Sequence, residues 1–355
     1  MTVHDPILAA AQRARATIPD DVAMLRAAAE LTRDLSTADA RIYWPDMLAS
    51  ALIGWGALAG AILIDYVPLA IACGVVAMLA LYRAASFIHE LTHIRAGALP
   101  GFRAGWNLIV GIPLMIPSFL YEGVHTQHHA RTRYGTAEDP EYLPLALMKP
   151  WSLPLFILVA SLAPVGLILR FGVLTPLSLI IPPLRAKVVA ELSALSINPA
   201  YRRRAPEGAF ARMWAWQEAG ACLFALALVG SVFLFGWKPL LVYMAIHSAM
   251  TVINQLRTLV AHLWENEGDP MTVTAQYLDS VNVPPPGSLP ALWAPVGLRY
   301  HALHHLLPSV PYHNLAAAHR KLIATLDPQS PYHRGNYRGM MPLVGKIARS
   351  TMAAR

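Results

Sequence analysis

Four apolar runs constrain this chain more than any other feature: residues 47–64, 67–87, 214–235 and 240–260 are each close to a bilayer thick and almost free of charge. Spanning the ~30 Å hydrocarbon core takes roughly 20 helical residues. Lipid offers no hydrogen bonds, so a spanning backbone must satisfy its own N–H and C=O groups, and runs of this length do so as helices. Only Asp65 and Tyr66 separate the first two runs, and only Gly236, Trp237, Lys238 and Pro239 separate the last two. Each pair therefore reads as a tight helical hairpin.

Composition agrees, with 55% hydrophobic and only 14% charged residues among 355 and a mean hydropathy of +0.42. These values exclude an ordinary soluble domain and point to an all-α, polytopic membrane protein. The net charge of +7 does not imply nucleic acid, because the basic residues flank apolar runs and form no stripe interleaved with aromatics. The hairpin tips hold a single basic residue, Lys238, while nearly every other Lys and Arg falls on the opposite side. The positive-inside rule then places the termini in the cytoplasm, with a bacterial inner membrane as the expected setting. The first 40 residues carry acidic groups and no apolar stretch of the kind a cleavable targeting segment requires.

Three units are expected: an N-terminal helical segment at 1–46, a membrane domain at 47–325 and a cytoplasmic tail at 326–355. A soluble helix at 17–35 should begin near Pro19, with Asp20 and Asp21 in its first turn. The run 106–120 is short and broken by Pro113 and Pro117, so it reads as re-entrant or surface-lying. The run 153–184 holds five prolines and reads as interfacial or as a shallow hairpin, with Arg170 reaching polar surroundings. The expectation is four main spans in two hairpins, interfacial helices, and a helical cytoplasmic cap.

Within that frame the histidines are grouped. HELTH contributes His89 and His93, HTQHH contributes His125, His128 and His129, and HALHH contributes His301, His304 and His305. If the second span continues as helix, His89 and His93 share one face a turn apart, suiting two ligands of one metal ion. In each HxxHH box adjacent histidines can serve different ions where the backbone is irregular or a helix end frays. A lone histidine at a helix end is ordinarily a cap, but eight in three boxes on one face are not explained that way. Imidazole suits Fe, Zn, Cu or Ni, and nitrogen ligation alone does not choose among them. The only cysteines are Cys73 and Cys222, both in apolar runs, which excludes a thiolate-held redox centre. Acidic residues near the boxes can orient metal-bound imidazoles, and of Glu90, Glu122, Glu138, Asp139, Glu265 and Asp269 the preferred pair is Glu138 and Asp139. His247 falls well inside the bilayer and is read as an interhelical hydrogen-bonding residue. His4 and His333 are expected at the surface.

HxxxH, HxxHH and HxxHH in this order, with membrane hairpins around the middle box, resemble the integral-membrane fatty acid desaturase and hydroxylase superfamily. The likeness runs from about residue 47 to 325 and includes WAPVGLRYHALHHLLPSVPYHNLAAAHRKL at 293–322. It is most similar to the acyl-lipid desaturase branch. The resemblance implies a non-haem di-iron centre held by the eight box histidines, O2 as co-substrate, and a ninth histidine after the fourth span, for which His262 is the candidate. Animal-type relatives place an Asn that contacts metal through water where Thr258 stands here. Thr258 either makes that contact through its hydroxyl or leaves the water contact missing. Asn254, one turn earlier, is a further candidate near the site. His313 and His319 match structural positions around the third box.

The activity so implied is O2-dependent desaturation of a lipid acyl chain, with a hydroxylase or ketolase acting on acyl, alkane or carotenoid chains as the alternative. The chain has no GxGxxG, CxxC or HPGG motif, so an external ferredoxin, rubredoxin or cytochrome b5 donor is implied. HELTH also fits HExxH, the zinc motif of metalloproteases, but an intramembrane protease leaves six box histidines unused; its LDG-type partner is absent, the nearest string being LDS at 278–280. A metal transporter, or a non-catalytic metal-binding protein, is the other competing class, and transport would require ionisable groups near the bilayer midplane, where His247 is essentially alone.

Overall fold

The computed structural model describes residues 15–287 and 289–353, so His4 lies outside the described residues. Helices α1 (Val22–Leu31), α2 (Ala40–Leu63) and α3 (Val67–His93) open the fold, followed by the short α4 (Phe102–Trp106) and the single turn α5 (His125–His128). Then come α6 (Ser152–Ser161), the composite helix α7 (Ala163–Ile180), α8 (Pro182–Glu191), α9 (Gly208–Phe235) and α10 (Lys238–Leu259). The chain ends with α11 (Val273–Asp279), α12 (Pro290–Trp293), α13 (His301–Leu306), α14 (Tyr312–Thr325) and α15 (Met340–Ala353). Among the described residues no strand forms, only isolated bridges such as His262 with Ser280.

The two hairpins form as read. α2 and α3 pack along their length, and at Gly54 the approach is so close that a Cβ would lie 2.7 Å from the Leu81 side chain. In lipid, where apolar burial does not drive helices together, such contact is the main source of attraction. Lys238 at the tip of one hairpin lies 3.7 Å from Asp65 at the tip of the other, so both tips point to the same end of the molecule. Outward-facing side chains of these helices are apolar and exposed, with Phe233 at 90%.

The run 106–120 leaves where it enters. Asn107 accepts from the Ser118 backbone N–H at 2.8 Å and donates to the Arg103 carbonyl, closing the base of the loop, while Gln217 of α9 accepts from the Phe119 N–H. Aromatic rings fill the space beneath the site: Tyr43, Phe87, Phe102 and Tyr312 meet edge to face at 5.0–6.0 Å.

Two local expectations change. The N-terminal helix begins at Val22 rather than Pro19, because Asp21 is its cap and accepts from the Met24 N–H at 2.9 Å; Asp20 instead accepts from Thr274 of α11. The prolines of 153–184 also interrupt less than expected. α7 is a continuous helix of 18 residues, and among the described residues it is the fifth helix long and apolar enough to cross a membrane, where four were expected. Pro164 sits in its first turn, where the missing N–H has no intrahelical partner to lose. Pro176 follows a π-turn at Leu169–Leu174, whose wider pitch accommodates the ring. Arg170 does reach polar surroundings: it pairs with Glu218 of α9 at 2.6 Å and donates to Ser193 and the Leu192 carbonyl. Arg185 of α8 joins the same carboxylate at 2.8 Å.

Candidate metal centre

Helical geometry allots the box histidines. His89 and His93 close the last turn of α3, four residues apart on one face. In HTQHH the backbone is a helical turn through His128, with His129 still in the right-handed region, and HALHH is the start of α13. Neither box needs the irregular or frayed backbone expected of it. At 100° per residue, the first and fifth positions of each box lie 40° apart while the fourth points to the other side. Regular helix alone splits each box between two sites.

The split is what the structure shows. His89, His93, His125, His129 and His304 form one group, and His128, His262, His301 and His305 the other; within each, one ring nitrogen per residue lies within 4.8 Å of all the rest. The two groups share a wall, where His129 stacks on His305 with ring centroids 4.2 Å apart. In the first group, Nε2 of His304 is 3.1 Å from that of His93 and 3.2 Å from that of His129, which is 3.0 Å from that of His125. In the second, Nε2 of His262 is 2.9 Å from that of His301 and 3.3 Å from that of His128, and His301 is 3.1 Å from His305.

These nitrogens suit metal ions better than one another. Ligands about 2.1 Å from a common ion stand roughly 3.0 Å apart at right angles and about 3.4 Å apart at the tetrahedral angle. Both ring nitrogens of His89 are buried without a hydrogen-bond partner among the described residues. Burial, together with the neighbouring imidazoles, holds His125, His129, His262, His301, His304 and His305 well below the usual histidine range. They are thus neutral at pH 7, the state a metal ligand requires.

Polar groups behind the rings set which nitrogen faces inward. Nδ1 of His128 lies 2.9 and 3.0 Å from the two Asp139 oxygens, and although burial opposes it, that carboxylate raises the His128 imidazole above its usual range. Nδ1 of His125 lies 2.8 Å from both Glu141 and the Tyr121 hydroxyl, which itself donates to Glu141. Nδ1 of His262 lies 2.8 Å from the Tyr134 hydroxyl, which donates to Asp279. Each Nδ1–H so held leaves Nε2 free to bind a metal. Burial pushes Glu141 up to about 7 and Asp279 to about 6.

The remaining candidates fall in different places. Asp139 lies behind His128, whereas Glu138 faces solvent and sits 3.6 Å from Arg133. Glu122 pairs with Arg103 and Glu265 with Arg15. Asn254 accepts from Arg257 at 3.1 Å. Thr258 gives its carbonyl to the Ala261 N–H, and its hydroxyl makes no hydrogen bond among the described residues. His247 is buried in α10 against the Tyr243 ring, with neither nitrogen hydrogen-bonded among the described residues, so the interhelical hydrogen bond expected of it does not form. His313 accepts weakly from Asp39, and His319 meets the Tyr332 hydroxyl at 2.9 Å.

Sequence reasoning missed Glu141, Asp279, Tyr121 and Tyr134. Glu141 had a signal, lying two residues past Asp139 on the same loop. Asp279 belongs to the LDS string that was weighed only as a protease partner; its neighbour Ser280 also touches His262 Nδ1, at 3.2 Å. Trp264, two residues past His262, is fully buried in the left-handed region at φ 61°, and its indole donates to the Leu259 carbonyl at 2.7 Å, bending the chain sharply beside His262.

Two adjacent all-histidine sites, assembled at one end of paired membrane hairpins from boxes in this order, define a membrane-bound oxidoreductase of the desaturase and hydroxylase type. The chain belongs to the fatty acid desaturase family, whose model matches residues 64–337. It is 49% identical over 332 residues to a ceramide hydroxylase of Caulobacter vibrioides (strain NA1000 / CB15N), which covers 93% of this chain and 94% of that protein. No solved structure matches it.

Proposed function

We propose that this protein is an O2-dependent lipid hydroxylase that acts on a ceramide or ceramide-like lipid. The observation that carries this reading is 49% identity to a ceramide hydroxylase over nearly the whole of both chains, joined to two complete histidine sites. It favours the hydroxylase alternative over acyl desaturation, because the family as a whole houses both outcomes.

The nine histidines would hold two iron ions, and bound iron would supply the activation of O2 that unactivated C–H bonds demand. The reaction balances as R–H + O2 + 2 e⁻ + 2 H⁺ → R–OH + H2O, with both electrons from an external donor protein. The residues of this chain hold that geometry. Asp139, Glu141 and the Tyr134–Asp279 pair fix His128, His125 and His262, so each ring keeps one orientation through turnover. The hydrophobic packing under the site, from Tyr43 to Tyr312, closes its membrane side. Charge asymmetry across the hairpins supports a site facing the cytoplasm, where such donors reside. Arg131 and Arg133 are paired with Asp20 and Glu138, whereas Arg299 has no carboxylate partner among the described residues and is the basic residue offered to an acidic donor.

The test is expression in a ceramide-containing host with a suitable reductase, followed by mass spectrometry of the lipids. Gain of one oxygen on ceramide is expected. Loss of two hydrogens from an acyl chain would restore the desaturase reading, and unchanged lipids would refute both.

A further inference from the structure

Arg257 is a charge without a counter-charge beside the metal centre. It lies in the last turn of α10, five residues before His262. Its Nη2 donates to Asn254 at 3.1 Å, while its Nε is buried with no partner, and among the described residues no carboxylate forms an ion pair with it. The end of α10 that carries it leads directly into His262 of the second histidine group. Tyr82 of α3 is within its hydrogen-bonding reach and passes its own hydroxyl hydrogen to the Trp293 carbonyl of α12 at 2.9 Å.

A cation at a helix C-terminus is favoured by the dipole, but that explains the sign of the charge and not why its Nε is sealed from solvent without an acceptor. A buried guanidinium N–H left unpaired is costly, and a purely apolar chain lying beside it would leave it unpaired. We infer that Arg257, with Asn254 and Tyr82, receives the polar end of the substrate, so that the carbon oxidised lies a few bonds from an amide or hydroxyl oxygen rather than mid-chain. The inference rests on the hydroxylase reading above and sharpens it: the lipid is positioned by its head, and the arginine sets which carbon meets the metals. Arg257 is thus a positioning and specificity residue. An enzyme that oxidised the middle of an acyl chain would need apolar walls at this point.

The experiment uses full-length, iron-loaded protein in lipid nanodiscs with a chemical or protein reductant. Its substrates are an N-acyl sphinganine and the analogue lacking the hydroxyl next to the amide-bearing carbon. Tandem mass spectrometry locates the new hydroxyl, and kcat/KM is measured for wild type, Arg257→Leu and Arg257→Lys. Wild type should place the hydroxyl within a few carbons of the amide and discriminate against the analogue about 10- to 100-fold. Arg257→Leu should lose a similar factor on the full substrate, scatter the hydroxyl over neighbouring carbons, keep its iron, and no longer discriminate against the analogue. Arg257→Lys should recover part of each. A wild-type product hydroxylated far from the amide, or wild-type kinetics indifferent to the analogue, overturns the inference alone and needs no variant to fold. Wild-type protein that oxidises no ceramide-type lipid overturns the hydroxylase reading along with it.

Discussion

Replacing Asp139 by Asn changes one atom of a side chain with no solvent exposure. One carboxylate oxygen faces His128 Nδ1 and accepts from the Gly135 N–H at 2.8 Å; the other faces the same Nδ1 and accepts from the Glu141 N–H at 2.8 Å. Whichever oxygen becomes the amide NH2, one backbone N–H meets a donor and stays buried without an acceptor. That defect costs about 1–3 kcal/mol. The imidazole also loses the charge that makes it a strong ligand, and loss of a partner of this kind lowers metal affinity roughly 10- to 100-fold. Asp139→Asn should therefore melt at lower temperature and, titrated against a chelator, release the ion of the His128 group well before that of the other. Metal analysis during the titration, with Mössbauer spectra of 57Fe-loaded protein, checks this. Glu138→Gln is the control, since that carboxylate faces solvent and should change nothing. Wild-type iron retention in Asp139→Asn, or equal loss in Glu138→Gln, would refute the reasoning.

Further outcomes follow from the same geometry. His93→Ala and His301→Ala should each abolish activity but weaken metal binding at different groups, and indistinguishable metal content and spectra in the two variants would contradict the five-and-four partition. Tyr134→Phe should retain the fold and lower affinity at the His262 group by about tenfold, because it breaks the link to Asp279; chelator titration measures it. Glu218→Gln leaves Arg170 and Arg185 without a counter-charge and should destabilise the protein by about 3–5 kcal/mol, whereas Asp65→Ala at the exposed hairpin tip should leave the melting temperature unchanged. In the metal-free protein, six imidazoles with lowered pKa stay neutral in the fold but protonate near 6.5 when unfolded, so the unfolded state binds more protons and stability falls as pH drops below that value. His128, held above its usual range by Asp139, and Glu141 and Asp279, raised to about 7 and 6, act in the opposite direction but are outnumbered. Thermal melts of apo-protein from pH 7.5 to 5 should slope downward, and a flat profile would refute the balance.

Much of this architecture is local and was legible in the residues. Apolar length predicts the hairpins, and the Lys238–Asp65 contact shows both tips at one end. Asn107 and Ser118 close the loop that Pro113 and Pro117 mark. The prolines of 153–184 misled because a proline's effect depends on its place within a turn: a first turn and a π-turn absorb two of them.

What the sequence by itself determined is a membrane helix bundle and three histidine boxes, since bilayer thickness and helical periodicity act on neighbours in the chain. The tertiary structure alone decided which histidines of different boxes meet in one group, which carboxylates stand behind them and which partners surround Arg257. His304 joins His93 across 211 residues, Tyr134 meets Asp279 across 145, and His128 meets His262 across 134. Such contacts obey no repeat. They depend on how the hairpin ends and the loops over them pack, and buried polar groups there are satisfied by whichever partner that packing brings within hydrogen-bonding distance.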